Sequence, residues 1–456
     1  MLLLACASAL RAAEADLSAL WAERVACVVA VEYTVQTDTE RRESFCFGTV
    51  IDKAGTVILP SAAINLIYSP DQLRNFKAYV PGSSEGVPAE YLGVDALSGW
   101  HFLKAGPSLL GKLRPVTAFA AATPPSPVVA EELWGIGLRG KEEDFLPYLL
   151  TGRVAMVNSL PQRTGISQHE LASPGLPVFN ARGEFAGLAL ASFGQSFVQF
   201  SSANRGGSPV MLVNVEESSA FLTAAECQPQ FARTPPSLTG RPLAWLGTYG
   251  LQPVDTEAAR FLGLPGQSAA IVSEVLEESP AERAGMKERD IIVAIDGKPL
   301  PLFKPDRVVT TFIDREVDRR RPGDEIALTI LRDGKRVELS AVLANAPKLT
   351  REAVQVHFDR AGLTLREFVY SDAVVRRVKT SPQPGVIAHF VKPGSPAAAA
   401  GLQPEDWIRE IDGTEPASFE QAVQLFTGIE RDTTRGEYVL LISRGGETSV
   451  LRVKLK

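Results

Sequence analysis

Acyl-transfer chemistry by a side-chain nucleophile needs a hydroxyl or thiol, an imidazole and a carboxylate within reach of one another, and this chain is poor in the second of these. Its four histidines, His101, His169, His357 and His389, are isolated from one another. Ser173 lies four residues after His169, in the stretch Leu171–Gly187 (LASPGLPVFNARGEFAG), and His101 follows Asp95 by six positions. These hydroxyl, imidazole and carboxylate groups could cooperate only if the fold converged them. No set of Cys and His residues has metal-ligand spacing, so neither a metal nor any other cofactor is expected.

The elements that would position such groups follow from length and pattern. A chain of 456 residues with 45% apolar and 22% charged residues is ordinary globular protein of roughly two to four domains. The formal charge is −6, and the longest basic run is Arg319-Arg320-Arg321 beside the turn Pro322-Gly323-Asp324, which argues against a nucleic-acid partner. Residues 1–15 (MLLLACASALRAAEA) read as the apolar core and small-residue cleavage site of a secretory signal. Export to the periplasm or another extracytoplasmic space is therefore expected. Leu3-Leu4-Ala5-Cys6 has the pattern of a lipobox, and membrane attachment is expected only if Cys6 is lipidated. No later stretch approaches 18 uninterrupted apolar residues. Beyond the signal Cys27, Cys46 and Cys227 remain, too few for a disulfide framework; Cys27 and Cys46 could pair across neighbouring strands, but buried free thiols are expected.

From Val25 onward short β-rich runs alternate with turns, as in all-β barrels or sandwiches. Pro124-Pro125-Ser126-Pro127 reads as a link between two barrels, and Glu226–Pro242 is Pro-rich and polar, as boundaries between domains are. Beyond it the chain repeats itself. Ser279–Gly297 (SPAERAGMKERDIIVAIDG) and Ser395–Gly413 (SPAAAAGLQPEDWIREIDG) share ten of nineteen positions without a gap. Each copy opens a short helix with Pro, closes it with Gly, and runs through an Asp into a strand ending at Asp-Gly. A longer helix is then predicted, with Val308, Val309, Phe312 and Ile313 as its apolar stripe in the first copy. In the second, Ser418 and Gln421 form a capping box before Ala422, Val423, Phe426 and Ile429. Closing hairpins are predicted at Asp333-Gly334 and Gly445-Gly446.

The first half resembles the trypsin-like proteases of the HtrA/Deg family. Gly175-Leu176-Pro177 matches the Gly-Gly-Pro of that family's Gly-Asn-Ser-Gly-Gly-Pro-Leu, which puts Pro174 at the nucleophile. Phe47–Leu59 resembles the strand pair that leads to the general-base His, and Ala62 falls on that position. Gly93–Lys104 matches the family's Gly-x-Asp-x-x-x-Asp-Leu-Ala-Leu-Leu-Lys, retaining Asp95 but placing Gly99 at the His-orienting Asp. The resemblance implies a two-barrel, chymotrypsin-like domain over residues 17–225 with its triad positions Ala62, Gly99 and Pro174 degenerate. Proline supplies neither a hydroxyl nor a backbone N–H to an oxyanion site, so no catalytic residue is expected.

The repeated modules resemble Deg-type PDZ domains, which add an extended peptide to a sheet edge and hold its carboxylate on a loop of backbone amides. The expected architecture is mainly β: a signal over 1–15, the protease-like domain over 17–225, a linker over 226–239, and PDZ modules over 240–346 and 347–456. The resemblance places the peptide grooves at Trp245, Leu246, Gly247, Thr248, Val309 and Phe312 in the first module. In the second it places them at Ala361, Gly362, Leu363, Thr364, Val423 and Phe426. The function expected is that of a proteolytically inactive binder of polypeptides or C-terminal peptides, acting as chaperone, adaptor or scaffold, with an active HtrA-like endopeptidase of protein quality control as the alternative. Family resemblance further implies a homo-oligomer, a trimer through the barrel domain, with co-assembly with an active homologue as the alternative.

Overall fold

A computed structural model describes residues 16–37, 40–65, 68–159, 162–193, 196–200, 209–214, 218–240, 243–378 and 384–455. The expected signal and Cys6 lie outside the described residues. The chain divides near residue 241 into two units.

The first unit is built from short strands whose alternate residues face inward. Helix α1 (Leu17–Arg24) precedes β1 (Val28–Gln36), β2 (Arg41–Val50), β3 (Thr56–Leu59), β4 (Leu73–Tyr79), β5 (Val87–Pro88), β6 (Glu90–Val94) and β7 (His101–Lys104). These form one antiparallel sheet in the order β5-β4-β1-β2-β3-β7-β6. The second half closes on itself: β8 (Glu132–Leu138), β9 (Pro147–Asn158), β10 (Thr164–Ser167), β11 (Pro177–Asn180), β12 (Phe185–Phe193) and β13 (Ser218–Thr223) make a six-stranded barrel. The expectation of two barrels thus holds for the second half, while the first is a seven-stranded sheet whose end strands β5 and β6 are not paired with each other. Leu133, Ile136, Leu176, Val178, Phe179 and Phe185 are fully buried in the barrel core.

The Pro-rich stretch after residue 225 differs from a free linker. Residues 224–231 form helix α2, with Cys227 buried and Phe231 against Trp100 and Phe185. Arg233 then pairs with the buried Asp95 at 3.0 Å. Polar composition signalled a boundary, but enough apolar residues remain to dock the segment on its own unit.

The second unit holds the two modules. In the first, β14 (Thr248–Tyr249), β15 (Gln252–Pro253), α3 (Thr256–Phe261), β16 (Ala270–Ile271) and β17 (Glu274–Val275) precede the short α4 (Pro280–Arg283) and β18 (Ile291–Ile295). Helix α5 (Val308–Asp318) and the hairpin β19 (Glu325–Arg332) to β20 (Lys335–Val342) complete it. The second module contains β21 (Gln355–Phe358), β22 (Leu363–Arg366), α6 (Tyr370–Arg376), β23 (Val386–Val391), α7 (Pro396–Ala399), β24 (Trp407–Ile411), α8 (Phe419–Arg431), β25 (Glu437–Arg444) and β26 (Glu447–Lys454).

The expected hairpins occur: Asp333 and Gly334 both take positive φ between Arg332 and Lys335, as do Gly445 and Gly446 between Arg444 and Glu447. Ser418 caps α8 by accepting from Gln421 N, while the Gln421 side chain reaches back one residue further than a capping box, to Ala417 N.

One ion pair recurs in both copies. Asp290, 1% exposed, accepts from Nε and Nη2 of Arg332 at 2.7 Å each and from Lys287 N. Asp406, also 1% exposed, accepts from Arg444 at 2.6 Å twice and from Gln403 N. Each Arg also donates to the carbonyl of the helix-closing glycine, Gly285 or Gly401. Asp290→Ala would leave the Arg332 guanidinium without its carboxylate partner and is expected to cost the first module about 3 kcal/mol, read as a lower urea midpoint with an unchanged slope.

Candidate functional site

Three segments of the first unit converge where the sequence placed them. Pro60 and Ser61 follow β3, Gly99 lies in the turn before β7, and Gly175 opens the approach to β11. A Cβ added at Gly175 would lie 2.4 Å from Pro60 Cδ, and one at Gly99 would lie 3.1 Å from Ser61 Cβ. Both glycines have positive φ, so backbone conformation and close approach select them together. Thr49 Oγ1 donates to Gly175 O at 2.7 Å and fixes the loop. Ala62 and Pro174 stand exposed at this junction. Beside them Pro60, Trp100, Gly175, Leu188 and Leu190 line an apolar cleft of only about 10 Å³.

The hydroxyl and imidazole candidates are placed differently. Ser173 is buried, and its Oγ accepts from Leu138 N at 3.3 Å. His169 is exposed. His101 is buried at the start of β7, between β3 and β6, its Nδ1 2.8 Å from the Tyr91 hydroxyl. Asp95 accepts from Ser98 N and Oγ and from Arg233, so its carboxylate closes the β6–β7 turn. Among the described residues no group of three or more His, Cys, Asp or Glu could hold a metal ion.

The thiols of Cys27, Cys46 and Cys227 are free. Cys27 and Cys227 are buried, which pushes both well above the ordinary thiol range, and burial moves Cys46 up to about 12. In native protein at pH 8 none of the three is expected to react with iodoacetamide within an hour. All three should react in urea.

The modules build their loops in the same way. Gly247 and Gly362 have positive φ, and a Cβ on either would lie 2.1 Å or 2.3 Å from the Cβ of the helix-capping Ser279 or Ser395. Leu246 O accepts from Ala281 N and Gly247 O from Leu276 N; Ala361 O and Gly362 O accept equivalently from Ala397 N and Lys392 N. The expected groove residues divide. Leu246 and Val309 are buried in the first module's core, Phe312 packs on Phe303, and Thr248 is half-buried. Trp245 instead stacks edge-on against Tyr370, 5.3 Å between ring centroids. In the second module Ala361, Leu363 and Thr364 are buried, Val423 is half-buried, and Phe426 packs between Phe358 and Tyr438.

Sequence pattern missed Arg366, since a basic residue ending a strand reads as exposed. It is 1% exposed, bonded to both oxygens of Asp372 at 2.6 and 2.8 Å and to Glu405 at 2.8 Å. Burial raises the Asp372 pKa, but the Arg366 bonds, the Val369 N–H and Arg376 outweigh it and hold the carboxylate below its usual range. That stability is present above the unfolded-state pKa of about 4 and is lost as pH falls through the lower folded value. Asp372→Asn is expected to lower second-module stability at pH 6 and to flatten its decline between pH 5 and 2, followed by tryptophan fluorescence.

Known proteins resemble this chain in parts. The PDZ domain family matches residues 271–310 and 391–432. A probable periplasmic DegP-like serine endoprotease of Chlamydia pneumoniae is 26% identical over 205 residues, 45% of this chain and 39% of the relative. The periplasmic pH-dependent serine endoprotease DegQ of Escherichia coli K12 is 33% identical over 165 residues, 36% of this chain and 32% of the relative. The chain thus spans less than half the length of these curated relatives. Among solved structures, an AlgW variant of the HtrA protease type with a decapeptide superposes with a TM-score of 0.53 at 16% identity, over 74% of this chain and 99% of that one. The serine endoprotease from Yersinia pestis gives 0.50 at 16%, over 73% and 98%. The fold is that of HtrA-type proteases, mainly β, with PDZ domains. These names also correct the expectation that the chain is not an enzyme: the curated relatives it matches in part are named as serine endoproteases.

Proposed function

We propose that this chain is an exported, HtrA-like serine endoprotease of protein quality control that captures polypeptides through PDZ grooves. The tandem modules behind a trypsin-like unit carry the proposal, because a groove of that kind selects extended or C-terminal segments and holds them near a second domain. The relatives named as periplasmic endoproteases support both the activity and the compartment. Self-association through the barrel-bearing unit belongs to the same proposal.

Hydrolysis calls for a nucleophile other than residue 174. Of the nearby hydroxyls, Ser61 stands exposed beside Gly99 and Ser173 is buried against the Leu138 amide. A catalyst built from such parts would run well below one with a complete triad, whose removal costs on the order of 10⁶-fold in rate. Purified protein is expected to degrade β-casein slowly, with much faster cleavage by the Ala62→His, Gly99→Asp, Pro174→Ser triple variant. Casein bound but never cut by the natural chain would sink the endoprotease assignment while leaving peptide capture intact.

A further inference from the structure

The two modules share a fold and differ at the edge where a peptide would add. In the first, β14 pairs with β17 and β15 with β16, and no described strand pairs with their opposite edge. Tyr249 on that edge is 56% exposed. In the second, β22 is flanked on both sides, by β23 and by β21. All four β22 residues are buried.

Strand β21 has the polarity and position of a bound C-terminal peptide. It runs antiparallel to β22, with Phe358 opposite Leu363 and Gln355 opposite Arg366, and it packs against α8. Its last residue, Phe358, is 4% exposed, with its ring 5.2 Å from that of Phe426 on α8. The Phe358 carbonyl accepts from Gly362 N at 2.8 Å. Above it, His357 Nδ1 lies 2.8 Å from Thr364 Oγ1.

The loop amides that would receive a ligand's carboxylate already hold one. Glu430, from the last turn of α8, accepts from Arg360 N at 3.0 Å and from Ala361 N at 2.9 Å, one oxygen to each. Arg360 ties the loop to the same helix end by donating to the carbonyls of Ile429, Asp432 and Arg435. In the first module Trp245, which corresponds to Arg360, pairs with Ala344, and the amide of Leu246, which corresponds to Ala361, meets no acceptor from any described residue.

We propose that Gln355–Phe358, with the Glu430 carboxylate, is a built-in ligand of the second module, so that incoming polypeptides are captured on the Leu246–Tyr249 edge of the first. This rests on the assignment of the modules as peptide binders. The partner that fits is an extended segment with a large apolar terminal residue and a free carboxylate, as Phe358 and Glu430 imitate. The second groove opens only when β21 leaves it.

The test uses the full chain, its Phe358→Asp variant, and a fluorescent benzophenone peptide ending in Gln-Val-His-Phe with a free carboxylate. Hydrogen exchange at residues 363–366 is expected to quicken roughly tenfold or more in the variant, while β24 and β25 keep their protection. The peptide should crosslink to the first module alone in the natural chain and to both modules in the variant. If Phe358→Asp unfolds the module, Glu430→Gln spares the core and should quicken exchange at Arg360 and Ala361 alone. Equal exchange of 363–366 in natural and Phe358→Asp chains, or crosslinking of the natural chain to β22 and α8, would overturn the proposal. Quickened exchange without crosslinks at either module would uphold the built-in ligand and remove the peptide-binding assignment.

Discussion

A strand with a bare edge carries a row of N–H and C=O groups that must find partners in water, in the same chain or in another, and that requirement organises this protein. The second half of the first unit meets it by closing six strands into a barrel. The modules meet it in two ways. One leaves the edge beside α5 open, and the other fills it from the connection that leads into it. A common fold thereby yields two different surfaces.

What holds both modules in one shape is the repetition of a few polar anchors. The Asp290–Arg332 and Asp406–Arg444 pairs tie the start of a central strand to the closing hairpin, and the Ser279 and Ser395 hydroxyls cap a short helix against a glycine that has no room for a side chain. One side of each was legible in the sequence, where spacing is local: Ser-Pro-Ala, a helix-ending Gly, an Asp before a strand, and paired turn residues with positive φ; the partners Arg332 and Arg444, 42 and 38 residues further on, were not. Where local chemistry and global fold agree, pattern reading succeeds.

The parts that escaped it depend on contacts remote in sequence. Nothing near Glu430 announces that its carboxylate caps amides 70 residues earlier, and Gln355–Phe358 is followed by Asp-Arg-Ala-Gly, without the two-residue turn that marks a tight hairpin. Arg366 misled for a similar reason, since its burial becomes tolerable only once Asp372 and Glu405 surround it. At the trypsin-like site the sequence located the converging segments, and the glycines at 99 and 175 show why: close backbone approach leaves a signature in residue type. Activity was a separate matter, because a fold hosts many chemistries, and the names of the relatives turned that expectation round.

The residues of β21 continue the stretch that leads in from the first module, and those just before them are held on the second module too, Lys348 by the Glu367 carboxylate at 2.9 Å and the Val354 carbonyl by Glu367 N at 3.0 Å. While docked, all of them are withdrawn from the tether. Release of β21 together with the Glu367 anchors returns residues 348–358 to it, about 36 Å of chain at full extension. Slack between the modules and occupancy of the second groove are therefore coupled through Glu367, and a polypeptide that displaces β21 lengthens the tether only as far as those anchors also let go.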